Sequence, residues 1–276
     1  MTGDSEVCSN AGHNGPPVLS DIWYRIVSEY SNRELTVPED KLPAISGVAI
    51  EMARISLDEY CAGLWRRQLR RELLWSTYPL IKVLKPAVWR APSWSWASVN
   101  NRITFERMPP TNAQPLGEII ECSVTPKAAK APFGEVREGS LRIKAPLMEI
   151  QDEQIDGLES LLYLEYTLPK LKDEDKGLEF RRFIMNVMLE RSQGERERMD
   201  VWNRPENVVL LALWRHNENM NNIEKLKNLE PGDHGFVSCL VLTKREDGKY
   251  ERVCCLPALF LQGLSKLKAD QIIEIV

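Results

Sequence analysis

The chain has 276 residues, of which 43% are hydrophobic and 28% charged, an ordinary composition for a globular protein. It excludes collagen, a coiled coil, wholesale disorder and a disulfide-dense mini-protein, and at this length about 75% of the unfolded surface can be buried. Thirty-six basic against forty acidic side chains give a net charge of −4, so nothing global draws the chain to phosphate backbones or anionic lipid.

Met1 to Pro17 is polar and small, with neither a basic start nor an apolar stretch, and reads as a disordered lead-in or the remnant of a longer protein. The longest apolar run, Val208 to Trp214, has the length of a buried strand, not of a membrane span. Six cysteines without a secretion signal are expected to be reduced thiols, and the expected location is the cytoplasm.

A helical subdomain is predicted over residues 18–90. Ser20 is placed to cap a helix whose Ile22, Trp23, Ile26, Val27 and Tyr30 form one stripe, and Ser31-Asn32 stops it. Thr36-Val37-Pro38-Glu39 reads as a capping box with proline in the first turn, and Pro43 breaks or restarts that helix, which continues through Leu42 to Ile55. Ser56-Leu57-Asp58-Glu59 reads as a second capping box, opening a helix that runs to about Trp75. On it Trp65, Leu69 and Leu73 stack at intervals of four. Arg66, Arg67, Arg70 and Arg71 take the opposite face, over roughly 140° of arc. These arginines are either a surface for an acidic partner or for phosphate, or a solvated face paired with local carboxylates such as Glu72 or Asp58.

A β-rich domain is predicted over residues 91–276. In the string Ser93-Trp94-Ser95-Trp96-Ala97-Ser98, an extended chain would set Trp94 and Trp96 on one face. That face is either an aromatic platform for a sugar or a base, or a core strand joining the two halves. Alternation marks strands at Glu118–Thr125, at Leu141 to Leu147, at Leu162 to Leu168, and at Gln271–Val276. Phe133 to Gly139 reads as a turn and Lys170 to Lys176 as a charged loop, while Gly177 to Arg198 is ambiguous. Val208–Trp214, Gly235–Thr243 and Tyr250–Leu256 complete the set, with Asp247-Gly248 as a type I′ hairpin signal between the last two. The fold class is therefore α+β: a helical subdomain packed on a mostly antiparallel β sandwich or partly closed barrel.

Chemistry is sparse. There is no G-x-S-x-G elbow, no phosphate-binding glycine loop and no C-x-x-C. His234 with Cys239, Cys254 and Cys255 is the one set that invites a zinc site, but adjacent Cys254 and Cys255 point to opposite faces of a strand. No catalytic residue, cofactor or metal is expected.

One resemblance emerges from the ordered blocks. They are Trp23…Ile26-Val27…Tyr30-Ser31…Arg33…Leu35-Thr36, Asp40-Lys41-Leu42-Pro43-Ala44-Ile45-Ser46-Gly47-Val48-Ala49, Tyr60-Cys61-Ala62-Gly63-Leu64-Trp65 and Leu73-Leu74-Trp75. Arg90-Ala91-Pro92-Ser93-Trp94-Ser95-Trp96-Ala97-Ser98, Pro132-Phe133-Gly134-Glu135-Val136, Gly139-Ser140-Leu141 and a weaker Tyr250-Glu251-Arg252-Val253 follow. Over about residues 20 to 260 the chain resembles the C-terminal portion of fungal heterokaryon-incompatibility (HET) domain proteins. The motifs of that family's N-terminal HET domain do not stand in this chain. The resemblance implies a role in fungal non-self recognition and regulated cell death, as a non-catalytic interaction or regulatory module whose partner is a protein such as a HET effector domain. It carries over no catalytic residue. Arg66, Arg67, Arg70 and Arg71 are the first candidates for the partner surface. The alternatives are an enzyme or a nucleotide- or sugar-binding protein with its site near Trp94 and Trp96, and a degenerate fragment without independent activity.

Overall fold

The computed structural model describes residues 19–78, 85–105, 109, 113–149, 208–216, 234–262 and 268–276. The lead-in, the strand expected at 162–168, the charged loop at 170–176 and the ambiguous stretch 177–198 lie outside them. Within the described residues the fold is α+β, a few helices against a large, mostly antiparallel sheet.

Helix α1 spans Leu19–Ser31 and buries Trp23 and Val27, one turn apart, on the stripe the periodicity marks. Ser20 lies inside its first turn, so it is not the cap expected of it. At the other end the Ser31 hydroxyl donates to Ser28 O (3.2 Å) and accepts the Ile103 N–H (2.8 Å). The expected second helix is built in three pieces. Short 3-10 turns at Pro38–Lys41 and Pro43–Ile45 lead into α2, Ser46–Ser56. Each turn carries a proline in its opening positions, where a missing N–H leaves nothing unpaired. No side chain caps the first turn, so the Thr36 capping box does not form.

The helix expected from Ser56 to Trp75 does not exist. Leu57, at φ 53°, ends α2 in the left-handed region. Strands β1 (Tyr60–Cys61) and β2 (Leu64–Trp65) then pair antiparallel across Ala62 and Gly63, at φ 46° and 98°. Positive φ at both central positions is the I′ geometry whose twist matches a tight hairpin. Helix α3 is a single turn, Leu69–Glu72, after a 3-10 turn at Arg66–Gln68. Trp65, Leu69 and Leu73 are all buried, as their spacing implies, but a hairpin and a bent turn bury them. Glu72 joins the two pieces, its carboxylate accepting the Trp65 N–H at 2.6 Å.

Trp94 and Trp96 are both 0% exposed, which answers to core. They do not share a strand, however. Ser95 N–H bonds Pro92 O at 2.9 Å, and its side chain caps a 3-10 turn at Trp96–Ser98. The Trp96 indole N–H donates to Gly63 O (2.7 Å), and so does that of Trp23 (3.1 Å). A Cβ at Gly63 would stand 2.6 Å from Trp96 Nε1, so both backbone angle and space demand glycine there.

Short strands β3 (Ser76–Tyr78) and β4 (Arg102–Thr104) pair across the middle of the chain. The remaining strands are β5 (Gln114–Pro115), β6 (Glu118–Pro126), β7 (Val136–Glu149), β8 (Val208–Arg215), β9 (His234–Lys244), β10 (Tyr250–Gln262) and β11 (Lys268–Ile275). They form one sheet in the order β5-β8-β9-β10-β11-β7-β6, and β7 also pairs β8. Five strands thereby close into a ring, sealed by the parallel Tyr250↔Ile275 pair of β10 and β11. Of the two architectures expected, the barrel is the one formed. The alternating Leu141, Ile143, Ala145 and Leu147 of β7 are all buried. The 133–139 turn ends earlier than expected, because β7 begins at Val136. Nor is the Asp247-Gly248 turn type I′. Only Gly248 (φ 80°) is left-handed, and Arg245 and Lys249 bond across a three-residue loop with a glycine bulge.

Arg252 of β10, 1% exposed, joins barrel to helices. Its guanidinium lies 3.5 Å from the centre of the Trp75 ring and donates to Leu73 O and Trp75 O, while its N–H donates to the Ser93 hydroxyl. On the barrel, Gly139 lets the preceding loop lie flat, since a Cβ there would meet Pro92 Cγ at 2.5 Å. One hydrophobic cluster runs from Trp23 to Ile275.

Two glycine substitutions separate angle from space. Gly63→Ala is expected to cost about 3 kcal/mol or more, since it combines a strained φ with a clash against the fully buried Trp96 ring. Gly248→Ala, with positive φ but open space around it, is expected to cost about 1 kcal/mol. Urea unfolding of both variants measures the difference, and equal costs would show that the Gly63–Trp96 approach carries no weight.

Candidate functional site

The loop 85–98 crosses β6 and β7 near the turn that joins them and leaves a cleft of about 500 Å³. Arg90 holds the loop in place. Its guanidinium donates to Ala97 O (2.5 Å), Pro38 O (2.8 Å) and Val99 O (2.6 Å), three carbonyls of bent chain that no ladder satisfies. Ser93 holds the loop to the barrel, donating to Val276 O while it accepts the Arg252 N–H at 2.8 Å.

With both ends fastened, Trp89 projects from the loop with 53% of its surface exposed. The cleft floor is Ser123 and Thr125 of β6 beside Glu138, Gly139 and Ser140 of β7. The far rim is Arg245, Lys249 and Glu251 from the β9–β10 hairpin, with Glu274 of β11. The rim charges are paired: Lys249–Glu274 at 2.8 Å, Arg245–Glu251 at 3.2 Å and Lys85–Glu251 at 3.5 Å. On a stretch that mixes basic and aromatic residues, Trp89 beside Arg90 reads from the sequence as a core ring, and the exposed indole corrects that reading. It follows no periodicity, because a proline-flanked loop has none to follow.

The four arginines are not one helical face, since the helix they were assigned to is a hairpin and a bent turn. Arg67 donates to Ser56 O (2.8 Å) and Leu57 O (3.0 Å), and its N–H bonds Asp58 Oδ1 at 3.2 Å. Arg70 donates to Gly117 O and lies 4.6 Å from the Trp214 ring. Arg66 and Arg71 are half-buried. The expected pairing with Glu72 is absent from the bonds of that carboxylate, which is fully buried and turned to Trp65. Trp94 and Trp96 form no platform, because both rings are sealed in the core.

Other reactive groups are engaged or quenched. His216 Nε2 lies 2.8 Å from the Ser238 hydroxyl. The Cys255 thiol points to Leu74 O and Trp75 O while neighbouring Cys254 is half-buried, as the alternation of a strand requires. The Cys61 thiol is pushed up by a hydrogen bond with the free Cys122 thiol and by burial, and that of Cys239 by burial, which disfavours the thiolate in each. Among the described residues no three His, Cys, Asp or Glu side chains gather as metal ligands. Among the same residues no helix is long and apolar enough to cross a membrane. Comparison of the chain with protein-family models, with curated proteins and with solved structures gave no match.

Two buried ionisable groups escape sequence reasoning. Burial raises the Glu72 carboxyl from 4.5 to about 8, against the Trp65 N–H bond that favours the carboxylate. Burial first, then the Arg90 charge, lowers the Lys41 ammonium from 10.5 to about 7, while its Nζ donates to Val99 O at 2.6 Å. As pH rises from 4.5 to about 8, the unfolded chain releases the Glu72 proton and the folded chain keeps it, so stability falls. From about 7 to 10.5 the folded chain releases the Lys41 proton first, so stability rises. Urea midpoints are therefore expected to pass through a trough between about pH 7 and 8. Glu72→Gln removes the fall on the acid side, and Lys41→Met removes the rise on the alkaline side. A pH profile that neither variant alters would contradict both burials.

Proposed function

We propose that this chain is a non-catalytic interaction or regulatory module of the heterokaryon-incompatibility type, which holds or gates an effector domain in fungal non-self recognition and regulated cell death. One observation supports the reading above the rest. The blocks that carry the family resemblance meet at a single junction, and their side-chain donors end on main-chain carbonyls. Trp23 and Trp96 reach Gly63 O, Ser95 reaches Ala62 O, and Trp75 reaches Trp94 O. Residues used in this way build a scaffold. The Cys61 and Cys239 thiols are raised, and the Ser238 hydroxyl that His216 meets is fully buried, so neither the thiols nor this pair is presented to a substrate, which supports a binding role over a catalytic one.

The proposed partner surface includes the arginines around α3. Arg67 and Arg70 also fasten backbone, so the informative variants are Arg66→Gln and Arg71→Gln, which leave those bonds in place. The test is calorimetric titration of the folded chain with a separately expressed HET effector domain. Saturable binding is expected, weakened about tenfold in the double variant. Two folded partners that show no heat and no co-sedimentation would overturn the reading.

A degenerate fragment would behave differently in isolation. The single core predicts one cooperative urea transition, with far- and near-ultraviolet circular dichroism coinciding. A broad transition in which the two signals separate would favour the fragment.

A further inference from the structure

We propose that the cleft beside Trp89 is a binding site for a neutral saccharide. Trp23, Trp75, Trp94 and Trp96 are each at most 2% exposed, whereas Trp89 shows 53% of its surface to solvent at the mouth of a cleft. An indole offers an apolar face and a polar edge, the combination that suits a ring with C–H groups on one face and hydroxyls around it. A volume of about 500 Å³ lies within the range of small-ligand sites.

The floor selects the polar chemistry. Ser123 and Ser140 face each other across the β6–β7 ladder, and neither hydroxyl has a hydrogen-bond partner among the described residues. A serine hydroxyl both donates and accepts. Two such groups side by side fit a ligand whose own groups do the same, namely vicinal hydroxyls. Thr125, one pleat on, already donates to Glu138 Oε1 at 3.1 Å, leaving that carboxylate further lone pairs to accept from a ligand.

The rim excludes charge as the basis of recognition. Its cations Lys249, Arg245 and Lys85 are each held by a carboxylate of the same rim. A phosphate or a polyamine would have to break one of these pairs to gain another, with little net gain at a solvated surface. A polyol uses the spare lone pairs and N–H groups without breaking any.

The site is independent of the effector-docking reading, and failure of either leaves the other standing. The test uses the whole chain with chitotriose, mannotriose, laminaritriose and maltotriose as probes, and inorganic phosphate and adenosine monophosphate as charged controls. Indole fluorescence and saturation-transfer NMR read binding. At least one trisaccharide is expected to bind saturably with a dissociation constant of about a millimolar or tighter. Trp89→Ala should weaken it about tenfold or more, with an unchanged melting temperature because the ring is half exposed. Ser140→Ala, at a floor hydroxyl, tests the same site and carries the test alone if Trp89→Ala perturbs folding. Absence of saccharide binding, binding of only the charged controls, or saccharide binding that the foldable variants leave unchanged would each overturn the proposal.

Discussion

The structure depends on one main-chain oxygen. Gly63 O accepts indole N–H groups from Trp23 of α1 and from Trp96 of the loop leading to the barrel. Two large rings can be buried only if their polar edges find partners, and a carbonyl with two lone pairs can serve both. The carbonyl is aimed by the tight turn of β1 and β2, which requires positive φ at Ala62 and Gly63. Glycine at the second position also provides the space that Trp96 occupies. Turn geometry, ring burial and the joining of helices to barrel are thus one constraint.

Around that oxygen the protein places charges in its interior and engages them with carbonyls. Arg252, Arg90 and Lys41 each reach backbone oxygens of bent segments between regular elements. Such oxygens have no ladder to join, and a buried carbonyl left unpaired is costly. A long cation that reaches them spares that cost, and a planar guanidinium can serve several at once. Arg252 also stacks on Trp75, so the barrel enters the helical half through one side chain. Arg90 and Ser93 then fix the loop whose outer turn carries Trp89. The exposed cleft is a geometric consequence of the buried junction.

Much of the architecture is legible in the residues. Alternation on β7 and the apolar run of β8 report strands whose period or density of aliphatic groups has no other use. The segment from Ser56 to Trp75 is where local signals and structure part. Four-residue spacing of Trp65, Leu69 and Leu73 satisfies a helix, but it satisfies equally a hairpin and a turn that fold over the same core. Ala62-Gly63 is a weak turn signal beside Asn-Gly, and only the indoles that converge on it make it obligatory. The arginine face failed with the helix that defined it.

What the sequence determined by itself was class and content: an α+β chain with a core rich in tryptophan, and strands where the period is two. These are properties of neighbours along the chain, set by side-chain period and composition. Tertiary structure alone decided the closing of the sheet through Tyr250 and Ile275, the burial of Glu72, Lys41 and Arg252, and the exposure of Trp89 while five other indoles are buried. Each of these turns on which carbonyl or ring a distant segment brings near, and such proximity leaves no mark in local spacing.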